Sequence, residues 1–148
     1  MVIHKEVEDL AFGNDGILWA WAKGDGLITI DLSTGTGTSQ IRSDAKVEGL
    51  TLSKNKERTF YGTIGNELWI YDQVTNQLEI ACTNLPGETE ALEMMSDDIL
   101  LMGIHKDKSF SLHAFDAKTC QIVADLNIPT NPFDDVEGIA LPIEACAK

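Results

Sequence analysis

Four glutamates carry the sharpest chemical signal in this chain. Glu8, Glu48, Glu90 and Glu137 each stand second in a short near-copied segment, spanning 7–12, 47–52, 89–94 and 136–141. The segments read Val-Glu-Asp-Leu-Ala-Phe, Val-Glu-Gly-Leu-Thr-Leu, Thr-Glu-Ala-Leu-Glu-Met and Val-Glu-Gly-Ile-Ala-Leu, and the glutamates are 40, 42 and 47 residues apart. Carboxylates brought together are hard oxygen ligands suited to Ca²⁺ or Mg²⁺. Without a cation they repel, and some hold their protons to higher pH. Asp134 and Asp135, just before Glu137, would add oxygens to such a site. A plainer role competes with this one. Each glutamate shares strand parity with apolar neighbours such as Leu10 and Phe12 or Leu50 and Leu52. That parity puts it on a packing face, where it would accept backbone N–H bonds or pair with a lysine of the next unit. Both readings stay open at this stage.

Other chemistry is sparse. His4, His105 and His113 fall at unrelated places relative to the recurring segment, and no pair has metal-ligand spacing. There is no Gly-x-Ser-x-Gly elbow and no phosphate loop. Trp19, Trp21 and Trp69 fall on strand-like runs and read as core residues. The three cysteines, Cys82, Cys120 and Cys146, are too few and too scattered for a disulfide framework or a zinc site. The expectation is three reduced thiols. A Cys120–Cys146 bridge pinning the end of the chain is the alternative.

The elements between the glutamates are short strands. In the first unit, Glu8–Phe12, Ile17–Ala22, Leu27–Leu32 and Thr38–Ser43 are separated by Gly13-Asn14-Asp15-Gly16, Gly24-Asp25-Gly26 and Ser33-Thr34-Gly35. Asp-Gly and Asn-Gly clusters between β-rich runs are hairpin signals. The second and third units repeat the pattern, and no run of ten residues shows helical periodicity with caps. A second landmark keeps the same phase. Asp31, Asp72 and Asp116 each close a third strand, and Thr34, Thr75 and Thr119 follow three residues on. An aspartate there accepts backbone N–H bonds two residues ahead and bends the chain, with the threonine supporting the bend. These six residues read as structural.

Four strands per repeat of roughly 40 residues, with an Asp-x-x-Thr turn between the last two, resembles the blade of a β-propeller. The Trp-Asp and Gly-His pairs of WD40 repeats and the Gly-Gly pair of kelch repeats are absent. The resemblance is closer to propellers of the YVTN, NHL and gluconolactonase types. It implies an all-β fold with three full blades, at about 7–45, 46–87 and 88–130, plus an extra inner strand at 136–141. It also implies that the first strand of each blade lines a central channel, so that the repeat glutamates gather near one mouth. In gluconolactonase-like propellers a glutamate followed by glycine helps hold a divalent metal. Glu48-Gly49 and Glu137-Gly138 match that pair, but Leu50 and Ile139 stand where a proline is expected.

Three blades do not close a ring, because terminal blades leave apolar faces uncovered. Closure is expected with a second copy of the chain, as a homodimer, or with the remaining blades of a larger propeller. The formal net charge of −13 excludes nucleic acid and anionic membrane as partners. The N-terminus has no signal core and no run of 18 apolar residues exists, so the expectation is a soluble chain that neither crosses a membrane nor carries an export signal. With no legible nucleophile and base, the functional expectation is a non-enzymatic binding or assembly module. The alternative is a Ca²⁺-assisted hydrolase, of lactonase or phosphoesterase type, with a glutamate-lined channel.

Overall fold

Twelve strands fold in chain order into three antiparallel sheets of four. The computed structural model describes residues 6–106, 109–126 and 136–141. Blade 1 holds β1 (Val7–Phe12), β2 (Leu18–Ala22), β3 (Gly26–Ile30) and β4 (Gly37–Ile41). Blade 2 holds β5 (Leu50–Leu52), β6 (Thr59–Ile64), β7 (Glu67–Asp72) and β8 (Gln77–Cys82). Blade 3 holds β9 (Glu88–Ser96), β10 (Ile99–Lys106), β11 (Ser109–Asp116) and β12 (Gln121–Leu126). Each sheet is a plain meander, so every strand pairs with its neighbours in sequence. Residues 136–141 lie outside the three sheets as irregular backbone. As an inner strand they would need the partner strands of a fourth blade, and no fourth sheet forms among the described residues.

The third-to-fourth-strand turn shows how local chemistry builds the repeat. Asp31 Oδ1 accepts the N–H groups of Ser33 and Thr34 at 2.8 and 3.2 Å. Asp72 does the same for Val74 and Thr75, and Asp116 for Lys118 and Thr119. Hydrogen bonds to the charged form hold all three carboxyls below their ordinary range. The residue after each threonine is left-handed: Gly35 at φ 69°, Asn76 at 55° and Cys120 at 56°. Glycine and asparagine suit that conformation, whereas a cysteine there is strained.

Cys120 is held there by a partner. It forms a disulfide with Cys82, the last residue of β8, with Cα atoms 5.6 Å apart. This overturns the expectation of reduced thiols and takes Cys120 away from Cys146, which lies outside the described residues. The pairing depends on how blade 2 packs on blade 3, which no spacing along the chain reveals.

Two larger apolar clusters fill the junctions between blades. Between blades 1 and 2, Ala11, Trp19, Leu27, Leu50 and Phe60 are buried together. Trp19 meets Phe60 edge-on, with ring centroids 4.9 Å apart. Between blades 2 and 3, Tyr61, Leu68, Leu92, Met94, Leu100, Met102 and Phe115 form the main core. The face of blade 1 that turns away from blade 2 carries a smaller cluster of Ala20, Ala22 and Ile28. Leu10 and Phe12 share that face by strand register and remain 47% and 53% exposed.

Candidate functional site

The innermost strands β1, β5 and β9 lie side by side, with β5 touching both others and β1 also reaching β9. Carboxylates at or just before the starts of these strands come together. Glu48 is half-buried, and its Oε2 is buried with no hydrogen-bond partner. Burial first, then the charges of Glu88, Glu90 and Glu8, push its carboxyl above the ordinary glutamate value. Repeat glutamates Glu8, Glu48 and Glu90 therefore share one neighbourhood. Glu137 is exposed and is not among the charges acting on Glu48. Asp134 and Asp135 lie outside the described residues.

A lysine and a histidine stand at the ends of this cluster. Lys23, in the β2–β3 turn of blade 1, places Nζ 3.3 Å from Glu8 and 3.1 Å from Glu6. Hydrogen bonds to these two carboxylates hold its ammonium above the usual lysine value. The lysine partner of Glu8 thus belongs to its own blade, not to the adjacent one. His105 Nε2 lies 3.3 Å from Glu90 Oε2 and 3.4 Å from the carbonyl of Val136. Among the described residues, no three His, Cys, Asp or Glu side chains converge as a metal site. The mouth is an acidic patch with a lysine counter-charge at Glu8 and an imidazole beside Glu90.

Two residues of this region escaped the sequence reading. Glu88 joins the mouth because it lies on the same strand as Glu90 with the same parity, a Glu-x-Glu pair that was there to be read. Asp9 is the deeper miss. It is 7% exposed, and its carboxylate takes the N–H of Leu10 at 2.7 Å and that of Leu50, in the next blade, at 2.8 Å. Burial nevertheless raises its pKa to about 7. The repeat alignment held a signal, since Gly49 and Ala91 stand where Asp9 does. A lone carboxyl at a position otherwise reserved for small residues marks a special site.

The same device recurs one blade further on with a hydroxyl. Thr51 Oγ1 accepts the N–H of Met94 at 3.0 Å. Thr63 Oγ1 accepts the N–H of Gly49 and donates to the carbonyl of Thr89 at 2.6 Å. Side chains of one blade thus satisfy backbone groups at the inner edge of the next, which fixes how far each blade is offset from its neighbour. At the other end of the inner strands lies a cleft of about 620 Å³, lined among others by Leu10, Phe12, Leu52, Lys54, Glu93 and Ile139.

Known proteins relate to this chain through backbone shape alone. No protein-family model matches it, and no curated protein sequence matches it. Solved structures do. U3-55K superposes with a TM-score of 0.56 at 14% identity, over 85% of this chain and 40% of that one. The β-propeller domain of Cps50 (Swd1) from Myceliophteria thermophila gives 0.57 at 22% identity, over 84% and 43%. A calcium structure of a family AA12 carbohydrate-active enzyme from Trichoderma reesei gives 0.57 at 16% identity, over 84% and 38%. The WD40 repeats of RRP9 are similar at 14% identity. The fold is that of a partial β-propeller. WD40 proteins appear among its neighbours although the Trp-Asp signature is missing, because blade geometry rests on strand pairing and not on that dipeptide. The chain spans about two-fifths of the solved chains it resembles.

Proposed function

We propose that this chain is a non-enzymatic binding or assembly module that completes its ring with a second copy of itself. The observation that carries this reading is the uncovered face of blade 1. In a closed propeller both faces of every blade are packed. Here Leu10 and Phe12 stay about half exposed, with the small Ala20–Ala22–Ile28 cluster on the same face. A second three-bladed unit offers a surface of the same architecture, and a two-fold arrangement would cover both open ends at once. The additional blades of a larger propeller would serve the same physical need.

The acidic mouth then belongs to a surface that recognises a cationic partner, since nearby like charges attract positive groups and repel nucleic acid. A Ca²⁺-assisted hydrolase would need several of these carboxylates to converge on one point. Among the described residues they do not.

Light scattering behind a sizing column tests the closure. The expected native mass is twice 16.2 kDa. The double substitution Leu10→Glu and Phe12→Glu should return it to the single-chain mass while β-sheet circular dichroism is kept. A parent chain that stays at 16.2 kDa across a hundredfold concentration range would overturn the proposal.

A further inference from the structure

Blade 3 carries a side-chain relay that the other two blades lack. Ser111 Oγ lies 2.7 Å from His113 Nε2, and His113 Nδ1 lies 2.7 Å from Asp125 Oδ1. Ser111 and His113 are two residues apart on β11, so they project from the same face. Asp125 is the cross-strand partner of His113 on β12. In a neutral imidazole this pairing selects the tautomer. A carboxylate only accepts, so Nδ1 of the neutral ring carries the proton and donates to Asp125. That leaves Nε2 as the acceptor for the Ser111 hydroxyl. Nucleophile, base and orienting acid thus stand in the connectivity that activates a serine.

Two further observations distinguish this trio from polar side chains that merely meet at a surface. The first is its absence from the repeat. His113 stands three residues before the turn aspartate Asp116, and the same place holds Ile28 in blade 1 and Trp69 in blade 2. Their cross-strand partners are Ser39 and Ile80, so building a blade requires no His–Asp pair here. The second is graded exposure. The His113 side chain is 15% exposed, which protects the base, whereas Ser111 is open to solvent and Asp125 is 72% exposed.

The geometry points to Ser111 as an activated nucleophile, with His113 as its general base and Asp125 as the residue that orients the base. This is independent of the binding and ring-closing role proposed above, and success in the test below would keep that role but no longer as a non-enzymatic one. The substrate class is activated acyl esters, because the trio itself supplies no donor for a developing oxyanion, and a good leaving group lessens that need. In the first step Ser111 Oγ adds to the ester carbonyl carbon while its proton passes to His113 Nε2. The ester C–O bond then breaks, and the departing oxygen takes the proton from Nε2, leaving an acyl-serine. Water adds to this ester, giving a proton to His113. Ser111 Oγ leaves with that proton returned, and a carboxylic acid is released.

A fluorophosphonate probe reads the first step directly, because a serine displaces fluoride only when activated. The native full chain should be labelled at one site, mapped by mass spectrometry to Ser111, and heat-unfolded chain should not be. Ser111→Ala should abolish labelling. His113→Gln should slow it about 100-fold or more, the least expected of a positioned general base. Asp125→Asn should slow it by less, and p-nitrophenyl acetate turnover should follow the same order. Circular dichroism confirms that each variant keeps its sheets. Labelling spread over several serines, or unchanged in Ser111→Ala or His113→Gln, would overturn the assignment and leave the trio a hydrogen-bonded surface feature.

Discussion

The two blade junctions of this chain use the same inner-edge device and fill the space behind it differently. At the junction of blades 1 and 2 a carboxylate, Asp9, caps the N–H of Leu50 in the next blade. At the junction of blades 2 and 3 a hydroxyl, Thr51, caps that of Met94. Behind Asp9 the packing is aromatic, with Trp19, Phe60 and Tyr71 in sequence. A cavity of about 140 Å³ remains there, walled by Trp21, Val47, Trp69 and Leu78 among others. Behind Thr51 leucines and the two methionines Met94 and Met102 predominate, with Tyr61 and Phe115 set among them, and the Cys82–Cys120 bridge closes the outer side. Flat rings leave gaps at their edges, whereas flexible methionines fill irregular space. A repeat therefore prescribes how blades align at the channel and leaves the outer packing free to diverge.

Three experiments test this contrast. The largest effect is expected from Phe60→Ala, which removes the ring that joins Trp19 to Tyr71. Large aromatic truncations in a core cost about 3–5 kcal/mol, read as a shift in chemical denaturation. A cost below about 1 kcal/mol would show that the neighbouring cavity already allows the junction to collapse around the loss.

Next comes Cys82→Ser, which opens the bridge at the other junction. Removing a disulfide costs about 2–4 kcal/mol. Hydrogen exchange should locate the effect, with β11 and β12 opening faster and β1 to β4 unchanged. Uniform acceleration through all three sheets would mean that the junctions unfold as one unit.

The smallest effect separates the caps by pH. Asp9 has a folded-state pKa of about 7 against an ordinary value of 3.8. The native state therefore binds the proton more tightly than the unfolded chain. The stability that this provides is complete below pH 4 and is lost as pH rises through 7. Between pH 5 and 8 the loss from this group is about 2–3 kcal/mol. Burial pushes Glu48 and Glu93 in the same direction. The turn aspartates, whose pKa values are lowered, act in the opposite sense at more acidic pH, outside this window. Asp9→Asn should flatten the decline seen in melting temperature. An unchanged slope in that variant would remove Asp9 as its source, and the threonine-capped junction predicts no such slope.

The local parts of this protein can be read from its residues in order. Strand order, the three sheets and the Asp-x-x-Thr turns were legible because alternation, turn residues and Asx bonding act within a few residues of one another. The gathering of Glu8, Glu48 and Glu90 followed from the period, since equal positions in successive blades must lie side by side. Contacts between blades or across strands arise only when the chain packs. The disulfide partner of Cys120, the lysine that meets Glu8 and the His113–Asp125 pair each join residues whose separation along the chain carries no signal, and the burial of Asp9, hinted at by the small residues aligned with it, is likewise fixed by packing. Their meeting depends on sheet register and blade offset, which are set only when apolar faces pack and buried N–H groups find acceptors.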